Sequence, residues 1–205
     1  MSLTLTYFPL PGRAYVTRVC FGIGGIEYVD EKIPFDELSK RRGVKGHCPG
    51  VPLGSLPVLT LPSGKVIVES GAISRYAARR ANLYPQDTDE ALLVDEVGDV
   101  IGSLMSKAPQ DKDPEEKKAN RLVYAESGFL KLAMDLIVSR YRETPGPYLL
   151  GNKYYSVDIL LYSLVKMIRT GDFDHVDTYY DAAWPELDAL VVALEADSKF
   201  APYKI

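Results

Sequence analysis

The spacing of apolar and polar residues changes along the chain and predicts two kinds of structure. Residues 2–7 alternate as a strand does, residues 13–21 repeat apolar positions at helical spacing, and residues 26–33 alternate again. A strand, a helix and a second strand in this order pair the two strands in parallel through a right-handed crossover. The glycine-rich stretch 22–25 predicts the end of the helix. Residues 34–53 show no regular pattern, so we expect an irregular connection there.

The next stretch predicts a β-hairpin that leads into a helix. Two apolar runs, 58–61 and 66–68, flank a four-residue turn that contains a glycine. On spacing alone, Pro57 before the first run has a trans peptide bond, and Ser70 suits the N-cap of the helix that follows. Because a helix start leaves backbone N–H groups unpaired at the positive end of the helix dipole, this start can hold an anion. A cap without a ligand is the commoner case, and spacing leaves both open.

The chain from residue 89 onward repeats its apolar residues at helical spacing. The clearest helix start is Asp113, because a proline and two glutamates follow it. The predicted helices cover about 89–107, 113–142, 157–170 and 184–196. The pattern therefore predicts an α/β domain over residues 1–81 in βαβ-ββα order, a linker over 82–88 and an all-helical domain over 89–205.

Composition and charge narrow the possible partners. The 205 residues carry a net charge of −4 and no basic stripe, which argues against nucleic acid. No apolar run approaches the length that spans a bilayer, and the N-terminus lacks the pattern of a signal peptide. The two cysteines, Cys20 and Cys48, are widely spaced, so we expect reduced thiols and a cytoplasmic protein.

Metal and nucleophile chemistry has little support in the sequence. The two histidines, His47 and His175, are far apart and lie in loop-like contexts. A histidine-based zinc site or a catalytic triad is therefore not expected, and we predict no metal. His47 and Cys48 could in principle ligate a metal, but solvated loop residues are the better interpretation. The glycines at 22–25 lack the ending of a phosphate-binding loop and follow a helix instead of a strand.

Several short segments, spread over most of the chain, are specific in their combined order and spacing. They are Tyr7-Phe8, Gly12-Arg13-Ala14, Arg18, Pro52-Leu53-Gly54-Ser55-Leu56-Pro57-Val58-Leu59, Glu69-Ser70 and Trp184-Pro185-Glu186-Leu187. In this order they resemble the cytosolic glutathione S-transferases of the tyrosine type, most like the sigma class. The resemblance implies a thioredoxin-like first domain that binds glutathione as co-substrate, and a helical second domain that carries the acceptor-substrate side.

The resemblance implies that Tyr7 is the catalytic residue. A free thiol has a pKa of about 8.5, so only a few per cent of glutathione is ionised at pH 7. A hydroxyl donor aimed at the sulfur stabilises the thiolate, which is the nucleophile. The segment after Tyr7 contains no cysteine, so disulfide exchange is not expected. Without the resemblance, Tyr7 is better interpreted as a packed aromatic residue at a strand end, since the chain has 14 tyrosines.

The rest of the glutathione site also follows from the resemblance. Leu56 is expected to present its backbone to the cysteinyl amide of glutathione, because a cis Pro57 leaves that edge unpaired. Glu69 and Ser70 are expected to hold the γ-glutamyl end. Arg13 is expected to support Tyr7 electrostatically; the alternative is an exposed or salt-bridged helix residue.

The chain departs from the family pattern at several glutathione-binding positions. Phe35 is the nearest aromatic residue to the place of the family's tryptophan, and Lys45 is the candidate basic residue for the glycyl carboxylate. Ser55 replaces the common glutamine. The acidic residue that a partner subunit usually lends appears as Ser103, and Asp99, one turn earlier on the same helix face, can substitute for it.

Two further features concern the helical domain. The capping box of the family's core helix has Asp158 but no serine at its partner position, Tyr155, so Ser156 is expected to cap instead. Phe8, Ser106 and Tyr203 are candidates for the acceptor site, with simple tail packing as the alternative for Tyr203.

The resemblance implies a cytoplasmic homodimeric detoxification enzyme that conjugates glutathione to small apolar electrophiles. Two alternatives keep the same fold. One is a glutathione-dependent isomerase of the prostaglandin D synthase type, and the other is a non-catalytic ligand-binding or crystallin-like protein.

Overall fold

The computed structural model describes residues 2–42 and 50–205, with side chains described for 2–40 and 50–205. The chain divides into two compact units, Met1–Tyr84 and Pro85–Ile205. Within the described residues, no helix combines the length and apolar character that crossing a membrane requires.

Over its described residues, the first unit contains a four-stranded mixed sheet and three helices. Its elements in chain order are β1 (Thr4–Tyr7), α1 (Tyr15–Ile23, after a 3-10 turn at Gly12–Ala14), β2 (Val29–Lys32), α2 (Phe35–Arg42), β3 (Val58–Thr60), β4 (Val66–Ile67) and α3 (Ser70–Arg80). The strand order is β2-β1-β3-β4. β1 and β2 are parallel, whereas β3 runs antiparallel to both β1 and β4. The predicted βαβ-ββα order and thioredoxin-like fold are confirmed.

The core of this unit lies between the sheet and its helices. Leu5 of β1 stands opposite Leu59 of β3, and both side chains are buried. Phe21 of α1 and Ile73 of α3 are fully buried as well. Burial of each such side chain contributes roughly 1.5–3 kcal/mol, so this apolar layer fixes the frame on which the loops stand.

Helix α2 corrects the prediction of an irregular connection over 34–53. Of its described side chains only Leu38 is buried, so the helix shows little of the apolar repeat that would identify it. Its first turn carries Asp36 and Glu37, which favour the positive end of a helix dipole. Lys40 lies 2.9 Å from Asp36, four residues earlier, and this pair lowers the pKa of the exposed Asp36 carboxyl.

The second unit is helical throughout its regular structure, as predicted. Its helices are α4 (Thr88–Lys107), α5 (Pro114–Glu126), α6 (Phe129–Arg142), α7 (Ser156–Arg169) and α8 (Pro185–Ala196), with 3-10 turns at Tyr180–Ala183 and Ala201–Tyr203. Asp87 caps α4 and Asp113 caps α5, each through side-chain hydrogen bonds to backbone N–H groups. The Glu96 carboxylate on α4 accepts two hydrogen bonds from Arg140 on α6, at 2.8 and 2.9 Å.

A single helix over 113–142 was the wrong prediction, because the chain breaks between α5 and α6. Gly128 is extended there, with φ −92° and ψ −156°. The backbone N–H groups of Ser127 and Gly128 both donate to the carbonyl of Val123. A Cβ at Gly128 would stand 2.8 Å from Tyr124 Cα, so this close approach of the two chain segments needs glycine.

The start of α7 corrects the expectation that Ser156 caps this helix. Ser156 is the first helical residue and Tyr155 occupies the N-cap position. Asp158 closes the helix start: one carboxylate oxygen accepts from the Tyr141 hydroxyl at 2.8 Å and the Leu149 N–H at 2.9 Å, and the other accepts from the Tyr155 N–H at 2.7 Å. Burial raises the pKa of Asp158 to about 6, and the hydrogen bonds act in the opposite direction.

Candidate functional site

Tyr7, the last residue of β1, holds its hydroxyl in a defined hydrogen bond. The side chain is buried, and its oxygen accepts from the backbone N–H of Arg13 at 3.0 Å. A hydroxyl has one hydrogen to donate and can accept two. Because the oxygen of Tyr7 already serves as an acceptor, its proton remains for donation to another group. The arrangement is therefore suited to stabilising an anion.

Gly12 makes this hydrogen bond sterically possible. Its φ is +42°, and a Cβ at this position would stand 2.6 Å from the Tyr7 hydroxyl oxygen and 2.7 Å from Leu10 Cδ1. Any other residue would push the phenol away from the Arg13 N–H or distort the turn. The sequence pointed to Gly12 only as part of a motif, since a close approach between residues five positions apart has no sequence signal.

Two arginines flank Tyr7 in different ways. Arg13 donates its backbone N–H to the Tyr7 hydroxyl, and its side chain is exposed. The guanidinium over the Tyr7 ring is that of Arg18, 5.7 Å from the ring centroid. The resemblance implied that Arg13 supports Tyr7 electrostatically. The guanidinium that lies over the Tyr7 ring in the structure belongs to Arg18.

Aromatic side chains continue from Tyr7 toward the surface. The rings of Tyr7 and Phe8 are tilted against each other with centroids 5.3 Å apart. Phe8 stacks on Phe35 at 4.1 Å, and Phe35, the first residue of α2, is 63% exposed. This row offers an apolar surface next to the Tyr7 phenol.

The segment before β3 has the backbone form that the resemblance implied. The Leu56-Pro57 peptide bond is cis, whereas spacing alone had favoured trans. Leu56 and Pro57 are buried, and Ser55 is exposed.

The start of α3 differs by one residue from the prediction. Glu69 occupies the N-cap position with φ +71°, and Ser70 is the first helical residue, so Ser70 is not the cap. Glu69 is exposed and, among the described residues, makes no side-chain capping hydrogen bond at this helix start. A non-glycine residue with positive φ is strained, and such strain is concentrated at functional sites. The first-turn N–H groups of α3 can thus serve an external acceptor.

Residues 3–79 match the glutathione S-transferase N-terminal domain. The chain is 34% identical over 122 residues to the hematopoietic prostaglandin D synthase of Gallus gallus, an alignment that covers 58% of each protein. It is 27% identical over 186 residues to the probable glutathione S-transferase 6 of Caenorhabditis elegans, covering 85% of this chain and 84% of that protein. Residues 3–79 therefore form a glutathione S-transferase N-terminal domain.

Solved structures share the fold of this chain along its length. The glutathione S-transferase from Ascaris lumbricoides superposes with a TM-score of 0.79 at 16% identity, covering 99% of this chain and 96% of that one. The rat hematopoietic prostaglandin D synthase, complexed with a quinoline, superposes with a TM-score of 0.80 at 22% identity, covering 98% and 94%. The thioredoxin-like first unit and the helical second unit therefore recur together in these proteins.

From the sequence, Lys45, the two histidines and the two cysteines were also considered for chemical roles. Lys45, His47 and Cys48 are outside the described residues. Cys20 is fully buried, and burial raises the pKa of its thiol to about 12, so this cysteine is not a nucleophile at neutral pH. Over residues 2–42 and 50–205, no three His, Cys, Asp or Glu side chains gather closely enough to hold a metal ion.

The remaining predicted site residues lie in the second unit. Asp99 and Ser103 are four residues apart on α4, hence on one face; Asp99 is exposed and Ser103 half-buried. The exposed hydroxyl of Ser106 donates to the carbonyl of Ser103 at 3.0 Å. Tyr203 is half-buried in the last 3-10 turn.

Proposed function

We propose that this chain is a glutathione transferase that joins the sulfur of glutathione to electrophilic, apolar substrates in the cytoplasm. One observation carries the proposal: the buried Tyr7 phenol accepts a hydrogen bond from the Arg13 N–H at 3.0 Å and keeps its proton for another acceptor. That acceptor is the sulfur of glutathione.

A hydrogen bond from Tyr7 favours the charged form of the sulfur and lowers its pKa. Each unit by which the pKa falls corresponds to about 1.4 kcal/mol of preferential stabilisation of the thiolate. The thiolate then attacks the electrophilic carbon, a carbon–sulfur bond forms, and the bond to the leaving group breaks with both electrons leaving on that group. Cys20, buried and protonated, takes no part in this step.

The peptide part of glutathione is proposed to lie along the first unit. The backbone of Leu56, before the cis Pro57, pairs with the cysteinyl portion in antiparallel fashion. Glu69 binds the γ-glutamyl amine, and Ser70 holds the carboxylate with its hydroxyl and the N–H groups at the start of α3. Ser55 and Lys45 are proposed to contact the glycyl half.

The decisive experiment measures binding and turnover in one set of variants. Wild-type protein is expected to be retained on immobilised glutathione and to conjugate an aryl halide. Tyr7→Phe is expected to be retained equally well but to lose conjugation roughly hundredfold, because a proton donor to the sulfur is missing. Equal loss of retention and turnover would contradict the role of Tyr7.

Tyr76→Phe is the matched control. The hydroxyl of Tyr76, on α3 of the same unit, is bonded to Arg80 at 3.0 Å. We expect it to keep both retention and turnover. A loss in this variant equal to that in Tyr7→Phe would mean that the assay reports on general damage to the first unit.

A second candidate, glutathione-dependent isomerisation, is favoured by the similarity to hematopoietic prostaglandin D synthases of chicken and mouse. The same similarity supports a sigma-like class. The two activities are separated by offering a prostaglandin endoperoxide with glutathione, because an isomerase consumes no glutathione.

A third candidate, a non-catalytic protein, is favoured by similarity to S-crystallin 2 of Octopus vulgaris, 23% identical over 98% of this chain. Retention on glutathione without any turnover would support it.

The assembly is proposed to be a homodimer in which α4, through Asp99 or Ser103, contacts the glutathione held by the partner subunit. Sedimentation at micromolar protein concentration tests this proposal, and a monomer there would contradict it. Phe8, Ser106 and Tyr203 are proposed to contact the acceptor substrate.

A further inference from the structure

The hydrogen bond between Tyr7 and Arg13 depends on the loop between β1 and α1. This loop, residues 8–12, has a tight start, where the Leu10 N–H donates to the Phe8 carbonyl at 2.8 Å. It carries Gly12, and the Arg13 N–H directly follows. A shift of the loop by a fraction of an ångström would lengthen the hydrogen bond to the Tyr7 oxygen. The bond would then be weaker, because hydrogen bonds lose strength steeply as their distance and angle depart from the optimum.

Arg18, in the first turn of α1, holds this loop in place with its guanidinium group. One terminal nitrogen donates to the Leu10 carbonyl at 2.6 Å and the other to the Phe8 carbonyl at 3.1 Å. The Nε of the same group lies 3.1 Å from an oxygen of Asp30 on β2. The planar guanidinium with five donors can serve three acceptors at once, and an ammonium on a flexible chain cannot reproduce this geometry.

The position of Asp30 ties the loop to the sheet. Asp30 stands opposite Leu5 in the parallel register, and Tyr7 is two residues beyond Leu5. Side chains two apart share a face of a strand, so Asp30 and Tyr7 lie on one face of the sheet. Arg18 bridges this face, 5.7 Å from the Tyr7 ring centroid, and its side chain is only 14% exposed.

We propose that Arg18 is a positioning residue for Tyr7, anchored by Asp30. By fixing the carbonyls of Phe8 and Leu10, it sets the Arg13 N–H against the Tyr7 oxygen and so directs the phenolic proton to the thiolate. This inference rests on the proposed function for the role of the proton, whereas the positioning itself is a property of the protein without substrate.

Three variants separate positioning from a simple ion pair. Arg18→Met removes the charge and all five donors, Arg18→Lys keeps the charge but loses the fork, and Asp30→Asn keeps the shape and one acceptor oxygen of the anchor. Arg79→Met is the matched control, because Arg79 also lies over a tyrosine ring, that of Tyr84 at 4.6 Å, but makes no described contact with the loop.

The first measurement is amide hydrogen exchange at Arg13 in the protein without glutathione. We expect exchange about tenfold faster in Arg18→Met and in Tyr7→Phe, a smaller increase in Arg18→Lys and Asp30→Asn, and no change in Arg79→Met. Unchanged exchange at Arg13 in both Arg18 variants would overturn the proposal. If Arg18→Met does not fold, Arg18→Lys and Asp30→Asn decide.

The second measurement is the pH profile of conjugation. We expect the acidic limb of kcat/KM to move up by about one pH unit in Arg18→Met, with kcat/KM at pH 7 about tenfold lower and KM for glutathione unchanged. A rise in KM with no shift of the limb would mean that Arg18 merely shapes the binding surface, and would overturn the proposal. If wild-type protein turns over no substrate, the proposed function fails, and the exchange measurement alone still decides whether Arg18 positions Tyr7.

Discussion

The starts of α3 and α7 differ in the acceptors that they offer to backbone N–H groups. At α7, the buried carboxylate of Asp158 accepts hydrogen bonds from Tyr141, Leu149 and Tyr155. At α3, the N-cap residue Glu69 is exposed with φ +71°, and its side chain accepts no capping hydrogen bond from the described backbone. Both starts have the positive end of a helix dipole.

The contrast separates stability from ligand binding. The start of α7 is satisfied within the protein, so its polar groups serve the fold. The start of α3 leaves its dipole and first-turn N–H groups for an acceptor from outside, which in the proposed function is the γ-glutamyl carboxylate. A substitution at the start of α7 should therefore lower the stability of the protein, and one at the start of α3 should lower its affinity for glutathione.

The largest effect is expected from Asp158→Ala. Removing the carboxylate leaves two backbone N–H donors and the Tyr141 hydroxyl buried without an acceptor, which we expect to cost about 3–5 kcal/mol of unfolding free energy. Urea denaturation measures it. The assignment of the α7 start to stability alone is contradicted if the variant keeps full stability, or if its folded fraction binds glutathione more weakly than wild type does.

The pH dependence of stability gives a second, smaller signature of the buried Asp158. Its pKa in the folded protein is about 6, above the usual value for aspartate. Between these two values the folded state binds a proton that the unfolded state has released. The stability contribution is thus fully present below about pH 4 and is lost as pH rises through about 6, by roughly 3 kcal/mol in all.

Asp158→Asn isolates this contribution, because an amide does not titrate in this range. The difference in unfolding free energy between wild type and variant should change between pH 4 and pH 6 and stay constant above pH 7. A constant difference throughout would show that the buried carboxyl does not change protonation on folding. Carboxyls such as Glu96, whose pKa is lowered by the hydrogen bonds from Arg140, act oppositely and cancel in the difference.

At α3 we expect the reverse of the Asp158 result. Ser70→Ala should raise KM for glutathione about tenfold, because the hydroxyl proposed to hold the carboxylate is lost. The unfolding free energy should change by less than about 0.5 kcal/mol, since Ser70 is not the N-cap. A stability loss with unchanged KM would place the start of α3 in the same class as that of α7.

The smallest effect should come from Asp113→Ala at the start of α5. Asp113 is exposed and accepts one hydrogen bond, from the Glu116 N–H at 2.9 Å. We expect a loss of about 1 kcal/mol of unfolding free energy, the usual contribution of such a cap. A loss as large as that of Asp158→Ala would mean that burial does not explain the difference between the two caps.

Local spacing determined most of the fold. Three features were predicted correctly: the strand within residues 2–7, the β-hairpin and the helix start at Asp113-Pro114. Each of them depends on residues only a few positions apart. Local spacing failed to predict α2, because this polar helix has little apolar repeat. It also failed at Gly128, where the apolar pattern continues through the glycine but the helix ends and the chain approaches Tyr124 closely.

The sequence by itself therefore determined the order of the strands and of most helices and, through resemblance, which tyrosine to examine. The tertiary structure alone decided that Gly12 brings the Arg13 N–H to the Tyr7 hydroxyl, that Glu69 occupies the N-cap before Ser70, and that Arg18 joins the loop to Asp30. The physical reason is that these features are distances between groups on separate elements. Side-chain periodicity specifies which face of an element is buried, but it carries no information about which polar atoms meet once the faces have packed.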